Sequence, residues 1–400
     1  MRKKLNVAIR FLVAALIAPF AQAHSGKWTD AKDDALAASA SFTYRTESTT
    51  RKGELGLIPG VVLGGEALPV KQGAVLDDAQ LFGRWYGQDY AVYGVLTAHQ
   101  HAEGSQVDLE NFWLKYSTPS HLGGLELELG KMSSEATDLA SFHASQSMQS
   151  EAPLLSDVFW GRHFTDSGIR LSKQFSLIRA GVEAWNGNSW PATEGEGSAD
   201  VFIRMQTHFK SLDISISSWA MRASAEQRSD ARYASGHSHS GQTISNPSAD
   251  YQFTGTTDMA GVAGRISLPV GDGEIQTLVE WMAQVSDGDL QTLQQRSRFR
   301  SQYDGTRVEL AFDSDQHNVT LSFEQVVIEN RFYDNVTTVF IDEANLFNNG
   351  FEPTKVNLSW NFKWRPSVSF RSEIIANQTV SEETVYRVNF GFRWNQVWHF

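Results

Sequence analysis

The C-terminal segment from Tyr386 to Phe400 alternates between two kinds of residue, and this alternation restricts the possible fold more than any other feature. Successive side chains of a β-strand point to opposite faces, so a period of two predicts a strand. One face must therefore be buried against a second sheet or against lipid. Apart from Gln396 that face is aromatic, and it consists of Phe390, Phe392, Trp394, Trp398 and Phe400.

The same alternation of apolar with polar or ionisable residues recurs along the chain. Ionisable side chains on the non-apolar face of so many strands do not fit the dry core of a β-sandwich, but they fit a water-filled lumen. The pattern predicts an all-β fold, a transmembrane antiparallel β-barrel. The clearest segments are Leu125–Leu129, Val201–Met205, Ile275–Val285, Val308–Phe312, Val319–Phe323, Val356–Trp364 and Val368–Ile374.

The N-terminus has the pattern of an export signal. Basic residues precede the apolar run from Phe11 to Phe20, and Ala21-Gln22-Ala23 supplies a small-x-small cleavage site. We therefore expect a signal peptide at 1–23 and a mature chain that begins at His24. The sequence has no cysteine, so disulfides do not stabilise the exported protein. The net charge of −12 argues against a nucleic-acid partner, because phosphate would repel it.

No segment after Ala23 is apolar for long enough to span a bilayer as a helix. In lipid every backbone N–H and C=O must be paired, so a closed barrel is the alternative to helices. The mean hydropathy of −0.33 does not separate a barrel from a soluble protein, since a barrel needs apolar residues only at alternate positions. A soluble secreted β-protein stays open as an alternative.

The segments predict about sixteen strands with long extracellular loops and short periplasmic turns, as a single barrel over 24–400. A long third loop, about 133–166, is expected to fold into the pore. Other predicted long loops include Ala223–Thr257 and Asp287–Asp304. Predicted strand starts lie near Leu36, Gln80, Tyr90, Val107, Leu125, Ser167, Phe175, Asp200, Leu212, Met259, Glu274, Thr306, Asn318, Lys355, Ser367 and Thr384.

From Val107 to Pro191 the sequence resembles Gram-negative outer-membrane porins of the phosphate-selective O and P group. The resemblance implies a sixteen-stranded barrel, usually a homotrimer, with the third loop folded inward. After Gly130-Lys131 the chain departs from the pattern with Met132-Ser133-Ser134-Glu135, and no lysine cluster matches an anion site. The segments that carry the resemblance are Asp108–Tyr116, Leu127–Lys131, Asp166–Leu171 and Ala180–Gly187.

These features predict a porin for the passive diffusion of small hydrophilic solutes or ions, with a substrate-selective channel for anions or phosphate as the alternative. Selection in a passive pore depends on width and on charge at the narrowest point. The expected constriction residues of the third loop are Glu135, Asp138, Glu151, Asp157 and Arg162. The expected basic pore wall is Arg84, Arg170, Arg179, Arg204, Arg371, Arg387 and Arg393, with Arg265 and Arg307 also inward by parity.

Two interpretations of these charges are open. In one, the acidic loop faces the basic wall across the lumen and creates a transverse field. In the other, the arginines pair with Glu126, Glu183, Glu309 and Glu373 and keep the lumen hydrated. The aromatic residues Trp360, Trp364, Trp394 and Trp398 are expected to form interfacial girdles.

The remaining hypotheses concern partners and chemistry. Phe400 and Trp398 are expected to form the signal read by the outer-membrane assembly machinery, and outer-membrane lipid and lipopolysaccharide are the expected surroundings. We expect no cofactor and no enzymatic activity. An outer-membrane enzyme is a weak alternative, since Ser141 and His143 lie close together but no acid is placed to orient the imidazole. His237 and His239 give at most a weak metal site, because they supply only two ligands.

Overall fold

The described part of the chain folds into a closed antiparallel β-barrel of sixteen strands in the computed structural model. This confirms the predicted fold class. The described residues are 34–47, 58–62, 72–101, 104–118, 124–193, 195–229, 252–291, 295–338, 341, 346–379 and 381–400. The predicted signal peptide and the pair His237 and His239 lie outside them.

The strands follow the chain order around the barrel, and the last strand pairs with the first. They are β1 (Ala35–Arg45), β2 (Gly73–Tyr86), β3 (Tyr90–His101), β4 (Gly104–Ser117), β5 (Leu125–Ser133), β6 (Thr165–Phe175), β7 (Ile178–Trp185), β8 (Ser198–Phe209), β9 (Leu212–Ser229), β10 (Gln252–Val270), β11 (Gly273–Gln291), β12 (Arg296–Ser314), β13 (His317–Phe332), β14 (Thr354–Arg365), β15 (Val368–Gln378) and β16 (Val385–His399).

Pairing of β1 with β16 closes the barrel. The register joins Ala35 to His399 and Arg45 to Asn389 without a shift along the strand. Closure leaves no unpaired sheet edge, which is the requirement that lipid places on a β-structure.

The alternation of the sequence becomes an apolar outside and a polar inside. On β5, Leu127 and Leu129 are 43% and 54% exposed on the outer surface, whereas Glu128 between them is 1% exposed. The outer surface carries comparable apolar side chains on every strand, including Phe390 and Phe392 of β16. A continuous apolar outer band of this kind is typical of a barrel surrounded by lipid.

Turns of two residues join successive strands at one end of the barrel, at 176–177, 210–211, 271–272, 315–316 and 366–367. The opposite end holds the connection between β5 and β6, residues 134–164, which we call the inner loop. It contains a 3-10 turn, Asp138–Ala140, and one short helix, α1 (Leu154–Trp160). Among the described residues, no helix has the length and apolar character needed to cross a bilayer.

Two predicted long loops are wrong over part of their length. The segments assigned to Ala223–Thr257 and Asp287–Asp304 continue as strands to Ser229 and Gln291, and the next strands begin at Gln252 and Arg296. Their outer face is polar or charged rather than apolar, whereas Phe253, Leu290 and Phe299 are buried on the inner face, so the alternation is reversed while the backbone ladder persists. Cross-strand ion pairs cover this face, including Arg298 with Asp287 at 3.1 Å and Arg296 with Asp289 at 2.7 Å.

Candidate functional site

The inner loop lies inside the barrel and contacts inward-facing side chains on distant strands. The Ser39 hydroxyl of β1 donates to the Ser145 hydroxyl at 2.9 Å. The Gln149 amide donates to Ser322 of β13 at 3.0 Å, and the Thr137 hydroxyl donates to Glu280 of β11 at 2.9 Å. Because the loop leaves from β5 and returns to β6, these contacts place it across the lumen.

Glu151 holds the loop to the strands that close the barrel. Its carboxylate accepts hydrogen bonds from Arg387 at 2.6 Å and Asn389 at 2.9 Å. Lys355 and Arg45 approach the same carboxylate at 3.6 and 3.8 Å. Burial opposes ionisation, but the neighbouring Arg387, Lys355 and Arg45 charges outweigh it and hold the pKa of Glu151 far below its usual range. Glu151 is therefore an ionised anchor.

Cations on the same side of the barrel bind loop carbonyls. The Arg393 guanidinium donates to the Ser147 carbonyl at 2.6 Å, and that of Arg371 donates to the Ala144 carbonyl at 3.2 Å. The Lys355 ammonium donates to the Ala152 carbonyl at 2.7 Å. Charged donors form the stronger class of hydrogen bond, so these three cations fix the loop backbone from Ala144 to Ala152.

A second ionic network holds the start of the loop to β5, β6 and β7. Arg179 donates to Glu135 at 3.0 Å and to Glu126 at 2.6 Å, and Arg170 donates to Glu128 at 2.9 Å and also to Glu183. Burial opposes ionisation of Glu135, but the Arg170 and Arg179 charges outweigh it and lower its pKa to about 2. Glu135 therefore keeps its negative charge in mildly acidic solution.

Helix α1 packs against apolar side chains that point inward from the wall. Phe159 and Trp160 are fully buried, and the Trp160 ring lies 4.9 Å from that of Trp219 on β9. Burial of side chains of this size stabilises by roughly 1.5–3 kcal/mol each. The expectation of a wet lumen is thus wrong for this region, where a hydrophobic core fills part of the barrel. Its wall residues include Trp185, Phe202, Trp219, Met221, Met259, Met282, Tyr303 and Val326.

A cavity of about 180 Å³ remains between the inner loop and the wall formed by β8–β13. Charged, polar and apolar side chains all line it, and we call it the polar cavity after its ion pairs. Among its lining residues, Asp138 of the loop lies 3.4 Å from Arg204 and 3.8 Å from Arg265. Arg307 pairs with Glu309 at 2.5 Å and lies 3.9 Å from Glu280. The other polar side chains that line the cavity are Thr137, Ser141, His143, Gln146, Ser147, Gln149, Gln206, Ser215, Ser217, Gln276 and Thr320. The apolar ones include Leu139, Phe142, Met148, Met205, Ile216 and Leu278.

The structure separates the residues that the sequence grouped as one constriction. Asp138 and Arg204 line the cavity, whereas Glu135 and Glu151 are loop anchors. Asp157 and Arg162 pair with each other at 2.9 Å within the loop. Most of the remaining wall residues contact the loop or its anchoring carboxylates, namely Arg170, Arg179, Arg371, Arg387 and Arg393. Arg84 instead lies 5.8 Å from the Tyr86 ring.

Sequence reasoning missed two kinds of site residue. One is the pair of cations Arg45 and Lys355, for which the inward parity of their strands was the available signal. The other is the acid beside His143, since Glu110 on β4 lies 2.8 Å from its Nε2 atom. The expectation that no acid orients this imidazole is wrong, because the acid comes from a strand 33 residues earlier in the chain.

Comparison with known proteins adds evidence about the fold. No protein-family model and no curated protein matches the sequence. Many solved structures match, and three of them are 10–11% identical to this chain. They are outer-membrane-expressed OmpT of Vibrio cholerae (TM-score 0.53, 92% of this chain and 99% of that chain), OprB of Pseudomonas putida at high pH (0.54, 92% and 94%) and the outer membrane channel DcaP of Acinetobacter baumannii (0.52, 91% and 96%). The chain has the fold of outer-membrane barrels.

Proposed function

We propose that this protein is an outer-membrane channel through which small hydrophilic solutes and ions diffuse passively. The observation that carries the proposal is the polar cavity beside the inner loop, enclosed by a barrel whose outer face is apolar. The cavity is large enough to hold several water molecules. A charged, hydrated passage inside an apolar band is the arrangement that a passive pore requires.

The charges around the cavity support weak rather than strong ion selectivity. Three arginines, Arg204, Arg265 and Arg307, are matched by three carboxylates, Asp138, Glu280 and Glu309. Asp138 lies 3.4 Å from Arg204 and 3.8 Å from Arg265, so these opposite charges largely compensate one another. A transverse field across the lumen and selectivity for phosphate or for other anions stay predictions.

The experiment is ion selectivity in planar bilayers under a salt gradient. Asp138→Asn should raise the permeability of anions relative to cations, and the double variant R204Q/R265Q should lower it. A unit charge about 4 Å from an ion in water is worth about 1 kcal/mol, so we expect changes of about fivefold. The matched control is Asp258→Asn, the same charge change on the outer face of β10.

Each outcome has a separate meaning. Unchanged reversal potentials in both lumen variants would place the ion path elsewhere than the cavity. Absence of any conductance from the purified, folded protein would contradict channel function itself. The location is tested by fractionation, in which a heat-modifiable band in the outer membrane is expected and a soluble band would contradict it.

The proposal extends to the surroundings of the barrel. A location in the outer membrane of a Gram-negative bacterium, assembly as a homotrimer and contact with lipopolysaccharide stay predictions, as does recognition of Phe400 and Trp398 by the assembly machinery. Both residues are accessible on the outside of the barrel, at 76% and 39% exposure. An outer-membrane enzyme is the other class of function. The polar cavity favours the channel.

A further inference from the structure

A β-bulge in β4 directs one carboxylate into the lumen beside the inner loop. The pairing of β3 with β4 shifts between Val95 and Leu96, which pair with Asn111 and Leu109, so that Glu110 has no opposing residue. A bulge interrupts the backbone ladder, and it frequently re-aims a side chain toward a site. Here Glu110 reaches the two histidines of the inner loop.

Side chains of the barrel wall hold the Glu110 carboxylate in place. Its Oε2 atom accepts hydrogen bonds from the Thr97 hydroxyl and, at 3.2 Å, from the Gln80 amide. Gln80 in turn accepts a hydrogen bond from Gln146 of the inner loop. These contacts leave the Oε1 atom directed at His143, 2.8 Å from Nε2. The carboxylate is therefore oriented by neighbours, as ligating groups commonly are.

The two legs of the inner loop bring the histidines together. Ser141 and His163 form an isolated β-bridge, and the Phe164 N–H donates to the Ala140 carbonyl at 2.6 Å. The rings of His143 and His163 stack with centroids 4.6 Å apart and an angle of 29° between their planes. One ligand atom from each of Glu110, His143 and His163 lies within 4.8 Å of the other two.

We propose that Glu110, His143 and His163 form a binding site for a divalent transition-metal ion of the zinc type. Zinc bonds to histidine nitrogen and carboxylate oxygen are about 2.0–2.2 Å long, so tetrahedral ligand atoms lie about 3.3 Å apart. The three atoms here reach that spacing with small side-chain movements. Three protein ligands leave a fourth position for water, and His143 lines the polar cavity, through which the ion enters.

Such an ion would join the inner loop to the wall at β4. It would bind both legs of the loop at once, since His143 and His163 lie on opposite legs. Glu151 anchors the loop to other strands, through Arg387 of β16 and Lys355 of β14. The metal therefore adds a further fixed point, on β4, to the loop that borders the polar cavity.

The test is calorimetric titration of Zn²⁺ into the purified full-length protein in detergent. We expect one site, with affinity lowered by at least about tenfold in Glu110→Gln, His143→Ala and His163→Ala. His208→Ala is the matched control, because His208 pairs with Asp213 on the exposed β8–β9 hairpin. Heat-modifiable migration confirms that each variant is folded.

A second measurement needs no variant. Zn²⁺ should protect His143 and His163 of the unaltered protein from diethyl pyrocarbonate, as read by mass spectrometry, while His208 stays reactive. The proposal is overturned if wild-type protein binds no Zn²⁺ at micromolar concentration. It is also overturned if the three ligand variants bind Zn²⁺ as tightly as wild type, or if Zn²⁺ leaves the modification of both histidines unchanged.

Discussion

At the scale of single residues, Glu151 is the contact that most constrains the inner loop. Arg45, Lys355 and Arg387 surround its carboxylate, and both members of the Glu151–Arg387 pair have side chains that are only 1% exposed. Removal of one partner from a buried charge cluster leaves the other charges without compensation, which costs about 3–5 kcal/mol. Loss of Glu151 should therefore loosen the loop around this residue.

We predict that Glu151→Gln gives larger and noisier single-channel conductance than wild type, because the loop leaves its position in the lumen. Recordings of single channels measure both quantities. Glu382→Gln, an exposed residue between β15 and β16, is the control and should leave conductance unchanged. Identical conductance and noise in Glu151→Gln would show that the loop does not depend on this anchor.

The parity of the strands predicted which residues face inward, but it could not predict their partners. Arg371, Arg387 and Arg393 were expected on the lumen wall, and each is buried there. The partner of Arg387 is 236 residues away in the chain, and no local pattern connects the two. Glu110 was missed for a related reason. Its orientation depends on a one-residue bulge, and the residue types along β4 do not reveal where that bulge lies.

At the scale of elements, the strands β9–β13 are 16 to 19 residues long, whereas β5–β7 have 8 to 11. A tilted strand needs about 9–11 residues to cross the hydrocarbon of a bilayer. The longer strands therefore extend into water, and their outer face changes from apolar to charged. The sequence reasoning did not predict these extensions, because their outer face is polar and their apolar side chains, such as Phe253, Leu290 and Phe299, lie on the inner face, the reverse of the pattern in the apolar band.

We predict that single cysteines on the outer face of β12 report this boundary, and the chain contains no native cysteine to interfere. In intact cells, Arg298→Cys should react with a membrane-impermeant maleimide and Leu310→Cys should not. Both side chains are at least half exposed on the protein, so lipid accounts for the difference. Leu310→Cys should react after denaturation, and its labelling in intact cells would contradict the position of the apolar band.

At the scale of the whole molecule, the barrel and the inner loop are parts of one structure. Ion pairs hold the loop to the closing strands, a hydrophobic core holds α1 to β9–β13, and a polar cavity is left between loop and wall. The dimensions of this cavity therefore depend on a loop that is fixed on several sides. The sequence predicted the enclosing barrel, whereas the hydrophobic core that fills part of the lumen follows from packing between distant segments.

A disulfide between the loop and the wall tests this arrangement directly. The hydroxyl oxygens of Ser39 and Ser145 are 2.9 Å apart, so cysteines at these positions can form a bond of about 2.05 Å with little movement. We predict that S39C/S145C oxidises readily and that its oxidised and reduced forms conduct alike, because the bond fixes the loop where it already lies. Thiol titration and single-channel recording measure the two properties.

The control pair S39C/S359C joins β1 to β14, which is not its neighbour in the sheet, and should stay reduced. A large change in conductance on oxidation of S39C/S145C would mean that the loop normally lies elsewhere, and the passage would then be wider than the cavity beside Asp138.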